Sequence, residues 1–196
     1  MTSDSPFDTH QDLFRNAYDS ALSFDSFLAT GTQHQIAKWR RFLDGITIPS
    51  SSEKVITSFK RQLNILVSAG IWCGDCAHQC PMIYKIAQLN ELIAVRFIDS
   101  ESIPILRDEL RIHGAARVPV IVALSEDFFE IGRYGDRTLS SYRRKAAREL
   151  GAACDSGIGL PPQEELQEEI VEWVGIIERF QLLLRVSPML RRRHND

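Results

Sequence analysis

Two cysteines separated by two residues, in Trp72-Cys73-Gly74-Asp75-Cys76, are the side chains of this sequence best suited to do chemistry. A dithiol at that spacing can close reversibly into a disulfide, or it can supply half of a zinc site. Placement separates the two. The preceding run, Leu63 to Ala69, reads as a buried strand, and Ala77 to Leu89 keeps a helical apolar face through Ile83, Ile86 and Ala87. A cysteine at that junction sits over a helix N-terminus, where unpaired N–H groups and the positive end of the helix dipole favour a thiolate. The thiolate is the species that attacks disulfides. A zinc finger takes its second ligand pair from a separate element. No second cysteine pair follows here, and His78 and His113 do not replace one, so no metal is expected.

Further residues extend the pattern: Pro81 in the motif helix, Val118-Pro119 opening a strand, and Gly135 beyond it. Together with Trp-Cys-Gly-x-Cys, this set resembles the thioredoxin superfamily over roughly residues 63–150, and is similar to a thioredoxin-like subfamily with a WCGDC motif and a helical N-terminal extension. The resemblance implies an α/β thioredoxin-like fold, a central mixed sheet flanked by helices. It implies a thiol-disulfide oxidoreductase in which an exposed Cys73 attacks and a shielded Cys76 resolves the mixed disulfide. The redox-active Cys73–Cys76 disulfide would be the working group, with no other cofactor. Val118-Pro119 would form the cis-proline loop facing the motif, and Trp72, Val118, Pro119 and Gly135 would line the substrate surface.

Gly74 and Asp75 are the expected tuning residues. Asp75 places a negative charge near both sulfurs, which disfavours the thiolate and makes the dithiol more reducing; it also simply suits a first helical turn. The buried Asp that thioredoxin carries beneath its motif has no counterpart in Leu66-Val67-Ser68. That departure motivates an alternative, a thioredoxin-fold binding or adaptor protein with little general reductase activity. Cys80 reads as a core cysteine one turn after Cys76, Cys154 as a free surface thiol. Lys85, Asp99 and Arg137 have no partner that the sequence names.

The elements around the motif follow from periodicity. Residues 1–62 read as a helical extension packed on the core. It holds one helix through Leu13, Ala17, Ala21, Phe24 and Leu28, another through Ile36, Trp39 and Leu43, and a short one after Pro49-Ser50-Ser51-Ser52. Residues 63–150 read as the core: strands at 63–69, 93–98, 119–124 and 128–133, helices at 77–89, 103–110 and 139–150. Residues 151–196 read as a glycine- and proline-rich link, a long helix after Pro162 and a frayed basic tail at Arg191-Arg192-Arg193. The long helix carries an apolar stripe, Leu166, Ile170, Trp173, Val174, Ile177 and Leu184, to be covered by the same chain or by a second subunit in a homodimer.

With 196 residues, 44% hydrophobic and 25% charged, the chain can bury a good core and exceeds a bare thioredoxin domain. A net charge of -3 gives no field to gather nucleic acid, and none is expected as a partner. Met1 to Pro6 lacks the basic and apolar regions of a signal peptide, and no apolar run is long enough for a bilayer. Three of the four cysteines crowd into 73–80, unlike a secreted disulfide framework. A cytoplasmic location is expected. The expected partners are a protein or small-molecule disulfide substrate and an electron-donor reductase or glutathione.

Overall fold

A computed structural model describes residues 7–150 and 163–196. Four strands, β1 (Leu63–Ala69), β2 (Ile93–Asp99), β3 (Val120–Leu124) and β4 (Glu130–Gly135), form one mixed sheet in the order β2-β1-β3-β4. β1 runs parallel to β2 and antiparallel to β3, which pairs antiparallel with β4. The parallel pair needs a crossover, and α5 (Gly74–Ala87) supplies it. This is the thioredoxin-like architecture. β1 is buried along its whole length, as its near-continuous apolar run requires. Leu63, Ile65, Val67 and Ala69 enter the larger apolar cluster, and Leu66 the smaller one on the opposite face.

The N-terminal region departs from the sequence reading. The apolar periodicity from Leu13 to Leu28 predicts one helix, but the chain forms α1 (Gln11–Ser20) and α2 (Phe24–Leu28), with extended backbone at Ala21 between them. Leu22 exchanges both backbone hydrogen bonds with Phe97, 2.8 Å each, on the open edge of β2. Ser23 then caps α2 through the Ser26 amide. The spacing misleads because Ala17, Ala21, Phe24 and Leu28 all reach the core despite the break. α3 (Gln33–Gly45) begins with a capping box between Thr32 and Gln35, and α4 (Ser50–Thr57) starts after Pro49 with no side-chain cap. Phe24, Phe27 and Trp39 pack in the main cluster with the motif helix.

α6 (Pro104–Glu109) and α1 cover the second face; α7 (Leu139–Leu150), α8 (Gln163–Val186) and α9 (Pro188–His194) complete the chain. The α8 stripe is covered by this chain itself: Leu166, Ile170, Trp173, Val174, Ile177 and Leu184 are all buried. The basic tail is no frayed end. Ser187 caps α9 through the Leu190 amide, Pro188 occupies its first turn and Leu190 is buried. The expected link at 151–162, with Cys154, lies outside the described residues. Among the described residues, no helix is long and apolar enough to cross a membrane.

Candidate active site

The sheet delivers β1 to Ala69, and the chain turns through Gly70, Ile71 and Trp72 into α5 with Cys73 as its N-cap. The Cys76 amide donates to Cys73 Sγ at 3.5 Å, so the first sulfur occupies the capping place the sequence predicts. The Gly70 amide donates to Cys76 Sγ at 3.4 Å. Across the site, Cys73 Sγ donates to the Val118 carbonyl at 3.8 Å, and the Val118–Pro119 peptide is cis. Cys73, Cys76, Val118 and Pro119 therefore meet. Gly135 stands behind them on β4: a Cβ there would lie 2.8 Å from the Pro119 carbonyl oxygen, which only glycine permits. Trp72 is 62% exposed, its ring folded over Gly70.

Exposure corrects one expectation. Cys73 is only 9% exposed and Cys76 is fully buried, so the attacking position is a narrow opening rather than an open shelf. The hydrogen bond with Cys76 and then burial push the Cys73 thiol above its ordinary range; the Cys76 amide opposes them, and Asp75 adds the smallest push. Burial raises Cys76 as well, with Cys80 contributing. Cys80 is fully buried, as a core cysteine should be. All three are free thiols.

Asp75 does not face the sulfurs as a bare charge. Arg137, for which the sequence names no partner, closes on it as a two-pronged ion pair, one prong 3.0 Å from Nε to Oδ1. Arg137 also reaches Asp136, whose carboxylate takes Tyr142 and, at 3.3 Å, Arg117. The pair is 62 residues apart in sequence, and no local pattern announces it. Ser68 lies buried in β1, and no carboxylate stands in its place.

A buried carboxylate does reach the motif helix, from α8. Glu169 is fully buried and accepts from His78 Nε2 at 2.8 Å and Gln79 Nε2 at 3.1 Å, while Arg144 of α7 pairs with its other oxygen. Trp173 Nε1 donates to Gln79 Oε1 at 2.7 Å. Burial and the nearby Arg144 lower the His78 pKa to about 4, so its ring is neutral near pH 7. Among the described residues, no group of three His, Cys, Asp or Glu side chains is arranged to hold a metal ion. α3 leans on the same place. Trp39 Nε1 donates to the Ile71 carbonyl at 3.0 Å, and a Cβ on Gly74 would sit 3.4 Å from Lys38 Nζ. A cavity of about 700 Å³ lies elsewhere, between β4 and the α8–α9 corner, and holds no cysteine.

The family model for thioredoxin matches residues 21–141. No curated protein matches the sequence. Among solved structures, a protein of unknown function from Pseudomonas aeruginosa superposes with a TM-score of 0.68 at 17% identity, covering 85% of this chain and 95% of that one. An HIV epitope scaffold superposes with a TM-score of 0.66 at 21% identity, covering 85% and 98%. At these identities the likeness is one of fold.

Proposed function

The chain belongs to the thioredoxin family, and from that premise we propose that it is a thiol-disulfide oxidoreductase working through Cys73 and Cys76. The observation that carries this reading is Cys73 at the N-cap of α5, facing the Val118 carbonyl at 3.8 Å with the buried Cys76 behind it. The Cys73 thiolate attacks one sulfur of a substrate disulfide. That bond breaks, the departing sulfur takes a proton, and a Cys73–substrate disulfide forms. Cys76 loses its proton and attacks Cys73 Sγ, releasing the second substrate thiol. The substrate gains two electrons and two protons, and the enzyme is left with a Cys73–Cys76 disulfide. A thiol such as glutathione, or a dithiol or flavoprotein reductase, returns it to the dithiol.

The raised thiol pKa values suit a resting pair that stays protonated until a substrate sulfur reaches the opening. Trp72 supplies an apolar contact there, and the backbone of Val118 offers pairing to an extended segment. A reducing compartment such as the cytoplasm fits such a dithiol, and the WCGDC motif with its helical extension fits the subfamily named above. The α8 stripe, buried within the chain, offers an adaptor no free apolar face.

Titration in glutathione and dithiothreitol buffers, read by alkylation and paired with insulin reduction, tests the proposal. A reversible Cys73–Cys76 disulfide and loss of turnover in Cys73→Ser are the expected results. Absence of that disulfide in every buffer overturns the reading.

A further inference from the structure

The opening above Cys73 has an uneven charge. On the motif side, Lys38 projects from α3 to within contact of Gly74, is exposed, and pairs with no carboxylate among the described residues. On the other side, Arg117 directly precedes Val118, whose carbonyl faces Cys73. Arg117 leaves 41% of its side chain exposed, and its partner, Asp136, is already engaged by Arg137 and Tyr142. The second carboxylate at the motif, Asp75, is closed by Arg137. Three cations, Lys38, Arg117 and Arg137, thus stand against two carboxylates, Asp75 and Asp136, and one positive charge is left over beside the motif.

We infer that Lys38 and Arg117 form a cationic rim that selects disulfides flanked by carboxylates, a specificity that rests on the redox reading above. An extended substrate segment lying along Val118 would carry its cysteine to Cys73, with acidic neighbours on either side meeting Arg117 and Lys38. The α3 extension then takes part in recognition as well as packing. Each exposed ion pair should favour an acidic substrate by up to about fivefold, and salt should weaken the preference.

The test uses three substrates that release 2-thiopyridine or a fluorescent thiol: a cysteine peptide flanked by glutamates, the same peptide flanked by lysines, and a glutathionyl disulfide. The readout is the ratio of kcat/KM on the acidic peptide to that on the lysine peptide. It should exceed about threefold in the parent, fall in Lys38→Glu and in Arg117→Ala, and shrink at high salt. A faster glutathionyl arm assigns the carboxylates to glutathione, a faster acidic peptide to a protein segment, and both support carboxylate selection. Where reduction is measurable, equal rates on both peptides in the parent, or variant losses of the same size on both, overturn the rim. Affinity for serine versions of the two peptides is measured separately. Preference in binding without reduction supports the rim and sinks the redox reading; no preference in either measurement sinks the rim.

Discussion

Glu169 near the start of α8 and Gln181 about three turns later both enter the core, but they hold different things. Glu169 holds the motif helix through His78 and Gln79. Gln181 holds the chain entering β1, donating to the Arg61 carbonyl at 2.8 Å and accepting from its amide. Each place has a buried ion cluster. At the far end, Arg61 donates to Glu126 at 2.6 Å and to Asp196 at 3.0 Å, tying the chain just past α9 and the β3–β4 turn to the start of β1. At the motif end, Arg144 joins α7 to Glu169, and Glu172 accepts from the Ser140 amide at 3.0 Å at the start of α7. α8 is therefore a strap. One end fixes the sheet, the other fixes the helix whose first turn does the chemistry.

The sharpest way to break the symmetry is Arg61→Ala. It removes two charge-assisted hydrogen bonds from Glu126 and Asp196, which keep His194 and Arg185, respectively, at 3.9 Å, and should cost about 3 kcal/mol in chemical denaturation. The dithiol potential should stay unchanged. A similar magnitude is expected from pH at the other end. His78 has a folded pKa of about 4 against 6.5 unfolded, and its side chain is only 17% exposed. The unfolded chain thus binds the proton first. Its contribution is whole above pH 6.5 and is lost as pH falls toward 4, by about 3 kcal/mol. Denaturation curves from pH 7 to 4 should show that slope, and His78→Asn should flatten it.

Glu169→Gln keeps the shape but removes the charge that serves His78, Gln79 and Arg144, and should cost about 2 kcal/mol. Unlike Arg61→Ala, it should also alter the alkylation rate of Cys73, because α5 loses its strap. The smallest effect belongs to Asp75→Asn. Arg137 already neutralises Asp75, so the variant should lower the Cys73 pKa only slightly and make the pair less reducing by under about 30 mV, measured against glutathione. A larger shift would show that the carboxylate acts on the sulfur directly.

The strands and the positions that meet at the dithiol were legible because each carries its own local signal: a buried run for β1, a Cys-x-x-Cys at a strand–helix junction, and a proline opening β3. Pairings between distant elements were not. His78 and Glu169 stand 91 residues apart and Arg137 and Asp75 62, and neither residue in such a pair shows a periodicity that points to the other. Lys38 was hidden for the same reason, since an exposed lysine on a helix looks like any solvated residue. Other misses had signals that were available. Ser23 ahead of Phe24-Asp25 and Ser187-Pro188 ahead of α9 are both helix starts readable from capping chemistry.

The disposition of the three tryptophans gives the molecule a built-in optical probe. Trp39 and Trp173 are sealed in the interior, so their emission should be blue-shifted and deaf to iodide. Trp72 stands in water next to the sulfurs. The quenchable, solvent-relaxed part of the fluorescence therefore comes from the rim of the reaction site alone, and its intensity should follow oxidation of the pair and arrival of a substrate without any label.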